Sequence, residues 1–422
     1  MNGDEMGKIF QVVLIGLVVI IAGVIGVTTY KYHTYKPTPV TLKVTPSNLP
    51  YFQESYNDCR KSFLAQAEKI RVTYKNVRIA NLKIESKTDP DLTIDYCYIP
   101  AQKTFERLLI VTSGIHGVEG YVGSAVQQMF LNELLQKISL DNMGLLLIHG
   151  INPYGFKYKR RVTENNVDLN RNCSTDKALF ASLNAGYSDL KGLLNPTGKA
   201  NTRSMGNIFF PVNAIEKILL HGMGTLRQAV LQGQYQYPKG VYFGGRELEP
   251  SIKAVTPLIR DTARNYEMVF CIDLHTGYGK RGTMHLFPNP MKDKKKKAKV
   301  ENIFSGIPID WGDEADFYTV TGEFTSYVGQ IIPGKYYLNM TFEFGTMDSQ
   351  TTMGAIKSIH NVILENQGAH FGYASQKDEE RIKHRFVEGY YPSSKPWRSK
   401  AIRDARKTLL QAVKKYQKTT MD

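Results

Sequence analysis

His116 and Glu119 lie three residues apart in the run Ser113-Gly114-Ile115-His116-Gly117-Val118-Glu119-Gly120. At that spacing, in a turn or a first helical turn, an imidazole and a carboxylate can point to one side and chelate a single ion. His275, in His275-Thr276-Gly277, offers a further donor. A catalytic zinc takes three ligands of N and O type and leaves one position for water. Such a site also needs a base to take a proton from that water. Glu343 closes an apolar run, where a carboxylate is costly to bury without a partner or a task. Pairing with a buried Arg or Lys is the structural alternative. The stretch Arg160-Arg161-Val162-Thr163-Glu164-Asn165-Asn166-Val167-Asp168-Leu169-Asn170-Arg171-Asn172 concentrates hydrogen-bond donors. A guanidinium can clamp a carboxylate through two parallel bonds, and a neighbouring Asn amide adds a neutral donor. An ordinary polar loop would read the same way.

Each of these motifs is weak alone; their weight comes from the elements that must carry them. Arg107–Thr112, Gly144–Ile148, Met268–Leu274 and Tyr337–Phe344 are short, nearly all-apolar runs. Runs of that kind suit strands buried on both faces of an α/β sheet. Three of them lead into the candidate residues, and ligands in such sheets gather at the carboxyl ends of strands. Strands are also expected around 77–84 and 92–99, and helices over Glu54–Ile70, Ser124–Lys137 and Ser251–Arg264. The expected class is therefore a single α/β domain with a mixed, mostly parallel central sheet flanked by helices. The segment 172–250, rich in Gly and Asn, is expected to hold insertions or loops near the site. The lysine run within Met291–Val300 reads as a solvated loop. Ser399–Tyr416 reads as a basic amphipathic helix that packs at the end of the domain or, on a weaker argument, rests on a membrane surface.

The 422 residues carry a net charge of +15, which favours anionic partners. No aromatic-basic RNA signature or paired CxxC is present, so nucleic acid is not expected as a partner. Cys59, Cys97, Cys173 and Cys271 lack CxxC spacing, which argues against thiolate-held zinc and a disulfide-stapled fold. From Ile9 to Thr29 the chain is uncharged and apolar, long enough for a hydrocarbon core of about 30 Å. No small-x-small cleavage site follows; Tyr30-Lys31-Tyr32 instead suits a membrane interface. Residues 1–33 are thus expected to be a single-pass anchor, 34–50 a linker and 51–422 the catalytic domain. Lysines on the far side of the span lean toward a cytoplasmic domain, although an external domain on an anionic wall would also account for the charge.

The set HxxE, Asp-Leu-Asn-Arg-Asn, a His after a strand and a strand-end Glu is similar, in order and rough spacing, to the zinc metallocarboxypeptidases of the carboxypeptidase A type. Asn152-Pro153-Tyr154-Gly155 looks like that family's Asn-Pro-Asp-Gly turn. Ser-Gly-Ile-His-Gly-Val-Glu-Gly with Gly123-Ser124-Ala125 more closely resembles an uncharacterised bacterial branch of the superfamily. The resemblance covers roughly residues 50–400. It implies a carboxypeptidase-like fold and one zinc ion held by His116, Glu119 and His275, with Glu343 as general base and later acid. It further implies that Asp168 accepts from the free ring nitrogen of His116 and fixes its tautomer. Asn170 and Arg171 would grip a substrate carboxylate, and Arg161, or else Arg160, would stabilise the oxyanion. The family's mobile substrate-binding tyrosine would be Tyr318 or Tyr327. Two enzymatic readings follow: a carboxypeptidase acting on peptides, and an amidohydrolase of N-acyl amino acids, both taking substrates with a free carboxylate. A membrane-tethered binding module with a dead site is the non-enzymatic alternative.

Overall fold

The structure is a computed structural model and describes residues 3–289, 291, 293–311 and 320–420. Its centre is a seven-stranded sheet made of β1 (Arg78–Lys83), β2 (Thr93–Ile99), β3 (Arg107–Ser113), β4 (Met143–His149), β5 (Met268–Gly277), β6 (Met284–Phe287) and β7 (Tyr336–Gly345). The spatial order is β1-β2-β4-β3-β5-β7-β6. The four central strands run parallel, and β1, β2 and β6 add antiparallel edges. This is the mixed α/β architecture expected from the apolar runs. Because β3 and β4 progress one way from the centre and β5 and β7 the other, the order reverses between β3 and β5. Their carboxyl ends therefore open a crevice.

Alternation along each strand divides the core in two. Leu109 and Val111 of β3, with Phe270 and Ile272 of β5, pack on one face against helices Gly120–Met129 and Lys395–Tyr416. Leu108 and Ile110, with Val269 and Cys271, pack on the other against Pro250–Ala263 and Phe324–Ile331. The Lys395–Tyr416 helix has Ile402, Leu409 and Val413 in that core, so its apolar face is covered by the domain and not free for a membrane surface. Trp397 is fully buried and its Nε1 donates to the carbonyl of Gly345 at 2.9 Å, tying the helix to the end of β7.

Three differences from expectation have local causes. Segment 172–250 lies beside the site as expected, but much of it is helical and not loop, with Ala185–Leu194, Phe210–His221 and Met223–Leu231 gathered with helix Thr352–Phe371 around a third apolar cluster. The lysine run forms a helix, Lys294–Ile303, not a loop. Asp293 caps it by accepting from the amides of Lys295 and Lys296, and Val300 and Ile303 are buried beneath it. Strand β6, only four residues long, has no distinct apolar signal of its own.

Gly3–Thr34 is one continuous helix, and Glu5–Thr34 is long and apolar enough to cross a membrane. Its last turn contacts the domain: the hydroxyl of buried Tyr32 meets His360 Nδ1, and His33 Nε2 lies 3.2 Å from the Ile208 carbonyl. The chain then runs along the domain surface. Tyr35 Oη donates to Met347 O (2.8 Å), the Thr38 amide to Asp348 Oδ2 (2.6 Å) and the Thr45 amide to Ser399 Oγ (2.8 Å).

Replacing Trp397 by Ala should destabilise the domain by about 3–5 kcal/mol in denaturant unfolding, since it empties a large buried volume and leaves the Gly345 carbonyl without that donor. A change below about 1 kcal/mol would mean that the C-terminal helix is not integral to the core.

Candidate metal centre

After β3 the backbone turns at Gly114 (φ +70°), where a Cβ would press on the Cα atoms of Gly150 and Gly120 at 3.1 and 3.3 Å. His116 stays extended, and Gly117–Glu119 form one tight 3-10 turn leading into helix Gly120–Met129. At Gly117 a Cβ would lie 2.1 Å from the Gly155 carbonyl carbon, so only glycine lets these two loops touch. The Gly117 amide donates to Arg161 O (3.1 Å) and the Val118 amide to Arg160 O (2.8 Å), fixing the arginine-bearing segment beside the His116–Glu119 turn. Asn152 sets up that approach: its Oδ1 caps helix Pro153–Lys157 through the Gly155 amide, and its Nδ2 donates to Arg161 O. From the other half of the sheet, β5 and β7 run beyond the apolar stretches, so His275 and Glu343 lie inside the strands as register partners.

These elements bring His116, Glu119 and His275 together. One donor atom from each lies within 4.8 Å of the others, and all three residues are buried. His116 Nδ1 is 2.8 Å from Glu119 Oε1; His275 Nδ1 is 3.1 Å from Glu119 Oε2 and 3.2 Å from His116 Nδ1. Both outer ring nitrogens face carboxylates: His116 Nε2 lies 3.1 Å from Asp168 Oδ1, and His275 Nε2 lies 2.7 Å from Asp273 Oδ2. Asp273 is held in turn by Thr112 Oγ1 at 2.6 Å. Two imidazole nitrogens and a carboxylate converging in a buried site, with a carboxylate behind each ring, is a donor set that fits zinc. Glu119 also accepts from the Thr276 amide (2.9 Å).

Charge at the centre is tightly balanced. Burial alone would raise the Glu119 pKa, but His116 and His275 outweigh it and hold the group well below the usual carboxylate range. Burial likewise opposes charge on His275, yet Asp273 and Glu119 keep its pKa well above an ordinary imidazole's. For Asp168, Arg161 and His116 overcome burial and keep it ionised. Glu343 goes the other way. Burial, reinforced by the negative charge of Glu119, raises its pKa from 4.5 to about 8, although the Tyr278 amide donates to its Oε1 at 2.9 Å. A carboxyl group with that pKa can hold or release a proton near neutral pH.

The two adjacent arginines take different positions. Arg161 reaches the centre: Nε donates to Asp168 Oδ2 (2.9 Å), Nη1 to Glu119 Oε1 (3.3 Å), and Nη2 lies 2.6 Å from His116 Nε2. Arg160 Nε instead donates to Glu365 at 2.7 Å. Arg171 and Asn170 line the same cavity of about 380 Å³ as the His116–Glu119–His275 trio and Glu343. Arg171 Nε donates to Leu231 O, and Asn170 Oδ1 accepts from the Phe324 amide. Tyr327 is buried in the core beneath the sheet, 2.8 Å from Thr256 Oγ1, and does not line this cavity. Tyr318 lies outside the described residues.

Several site residues escaped sequence reasoning. Asp273 was detectable, since two residues before His275 in a strand means the same face. Tyr242 and Tyr390 line the cavity with Arg161, the first with its ring 5.3 Å from the guanidinium. Neither carries a local motif; only tertiary folding delivers them.

The family model of DUF2817, a protein family of unknown function, matches residues 52–404, and the chain belongs to that family. No curated protein matches it. Solved structures that overlap it include bovine thrombin-activatable fibrinolysis inhibitor in complex with tick carboxypeptidase inhibitor. That pair shares 15% identity and a TM-score of 0.42, over 76% of this chain and 99% of that one. Carboxypeptidase A from Helicoverpa armigera overlaps at 13% identity and a TM-score of 0.37, over 83% and 78% of the two chains. A metallo-carboxypeptidase from Burkholderia cenocepacia overlaps at 11% and 0.38, over 76% and 71%. At such scores the function has to be argued from the site itself.

The Glu343 shift has a measurable sign. A carboxyl group whose pKa rises on folding stabilises the fold fully below its unfolded value of 4.5 and loses that contribution as pH climbs through about 8. Metal-free wild type should therefore lose thermal stability relative to Glu343→Gln between about pH 5 and 8, and added zinc should narrow the gap. Parallel pH profiles for the two proteins would contradict the assignment.

Proposed function

We propose that the chain is a zinc-dependent hydrolase of the metallocarboxypeptidase type, cleaving an amide bond next to a residue that bears a free carboxylate. The observation that carries this reading is the register of His275 with Glu343, which sets a carboxyl group of raised pKa beside the buried His116–Glu119–His275 trio. One zinc ion held by that trio would act as a Lewis acid on the scissile carbonyl and lower the pKa of water in the site.

The remaining chemistry belongs to the chain's own groups. Glu343 takes a proton from the attacking water and returns it to the departing amine, tasks that suit a group titrating near neutrality. Asp168 and Asp273 hold the two imidazoles by accepting from Nε2, so that Nδ1 of each faces inward. A ring proton on His116 Nε2 points to Asp168 and cannot coexist with the approach of Arg161 Nη2 to the same nitrogen. Arg161 is thereby released to donate toward the oxygen that gains charge. Arg171 and Asn170, on the wall of the same cavity, supply donors for the substrate carboxylate. The helix Glu5–Thr34 would tether the enzyme as an uncleaved single-pass anchor, supported by its apolar length and by the contacts of Tyr32 and His33 with the domain.

Glu343→Gln should lower kcat on a carboxylate-bearing amide by at least about 100-fold while the protein keeps its full complement of metal. Retained activity would remove Glu343 from the role, and loss of metal together with activity would reassign it as a ligand. The peptidase and deacylase readings separate by assaying release of a C-terminal residue from peptides against cleavage of acetylated amino acids.

A further inference from the structure

The cavity that holds the metal-binding trio does not end at the polar residues. Its wall continues along Leu190, Leu194, Phe210, Ala214, Ile218 and Ile359, all supplied by the helical insertion and by helix Thr352–Phe371. Leu190, Leu194, Phe210 and Ala214 belong to the third apolar cluster, whose packing leaves this lining facing an open space. At about 380 Å³ the whole cavity lies in the range of about 300–1,000 Å³ that encloses a complete small ligand. The wall spans three helices, longer than one apolar side chain of a peptide substrate would cover.

The position of that wall is equally informative. Helix Phe210–His221 lines the chamber with Phe210, Ala214 and Ile218 and packs against the end of the apolar N-terminal helix. The same helix exposes Leu219 (81%) and Leu220 (65%) at its far end, beside the turn at Gly222. An element that touches a membrane-spanning candidate, displays bare leucines and walls an apolar chamber is suited to receiving a molecule from the bilayer.

We infer that the chamber binds a long aliphatic acyl chain, so that the substrate is an amide joining such a chain to an amino acid with a free carboxylate. This rests on the hydrolase reading above and names its substrate class. In the reaction the acyl C–N bond breaks and a C–O bond to the water oxygen forms. One water proton ends on the leaving amine, giving a fatty acid and a free amino acid. Arg171 and Asn170 take the carboxylate, and the aliphatic wall takes the chain.

The test uses the full chain, zinc-loaded and in lipid nanodiscs, with one amino acid acylated by chains from C2 to C12 and free ligand concentrations measured. Binding and turnover are read separately. In both Kd and kcat/KM, affinity and rate should improve with length by up to about fourfold per methylene before reaching a plateau. Ala214→Trp, which fills the chamber away from the ligands and Glu343, should weaken C12 at least 10-fold and leave the C2 substrate unchanged. A flat length profile in the wild type overturns the inference whatever the variant does, and so does an equal loss for C2 and C12 in an Ala214→Trp protein whose circular dichroism and zinc content match the wild type. A steep binding series without any cleavage upholds the chamber and overturns the hydrolase reading. Faster release of C-terminal residues from unacylated peptides than from C12 amides overturns the substrate class.

Discussion

Glu119 lies between two imidazoles, and the arrangement of the whole site follows from making that contact possible. A carboxylate and two rings meet through Nδ1 atoms 2.8 to 3.2 Å from their neighbours, out of bulk water. Such a cluster is unfavourable unless every remaining polar atom is matched. Asp168 and Asp273 meet the outer ring nitrogens, Thr112 holds Asp273, and Arg161 spans Asp168 and Glu119. The sheet order supplies the geometry: reversal between β3 and β5 brings the ends of strands separated by more than 150 residues side by side. Residues at position 117 and 155 must be glycines for the Arg161 loop to close over the trio.

The same balance accounts for the unusual carboxyl. Cations and donors surrounding Glu119 leave little compensation for Glu343, which faces Glu119 across the crevice and keeps its proton to about pH 8. One acid in the site is thus held charged and the other poised near neutrality. That division of labour between neighbouring carboxyl groups is what acid–base hydrolysis needs. A cation at the trio would lower the Glu343 pKa, coupling metal loading to the protonation of that carboxyl group.

The site was legible in the sequence wherever chemistry and strand periodicity coincide. His275 and Glu343 lie near the carboxyl ends of β5 and β7, His116 and Glu119 sit in the turn that follows β3, and the parallel pairing of those strands puts them together. The choice between Arg160 and Arg161 was open because neighbouring residues look alike in sequence; in the fold both are held by backbone contacts to Gly117 and Val118, and Arg161 turns to Asp168 and Glu119 while Arg160 turns to Glu365. Tyr242 and Tyr390 had no local signature, and the insertion's helices were masked by their Gly and Asn content, since their stability comes from packing on helix Thr352–Phe371 and not from propensity. The lysine run misled for the opposite reason: charge suggested solvent, while an Asp cap and two buried aliphatic residues made a helix.

The insertion and the N-terminal helix set an apolar environment beside the His116–Glu119–His275 trio, and the proposed chemistry rests on whether one ion binds there. The most direct measurement is a zinc-edge anomalous diffraction map of the full chain grown with one equivalent of zinc. A single peak should appear within bonding distance of Nδ1 of His116, Nδ1 of His275 and a carboxylate oxygen of Glu119, with Asp168 and Asp273 behind the rings. A peak elsewhere, or ligation that leaves out either imidazole, would contradict the account.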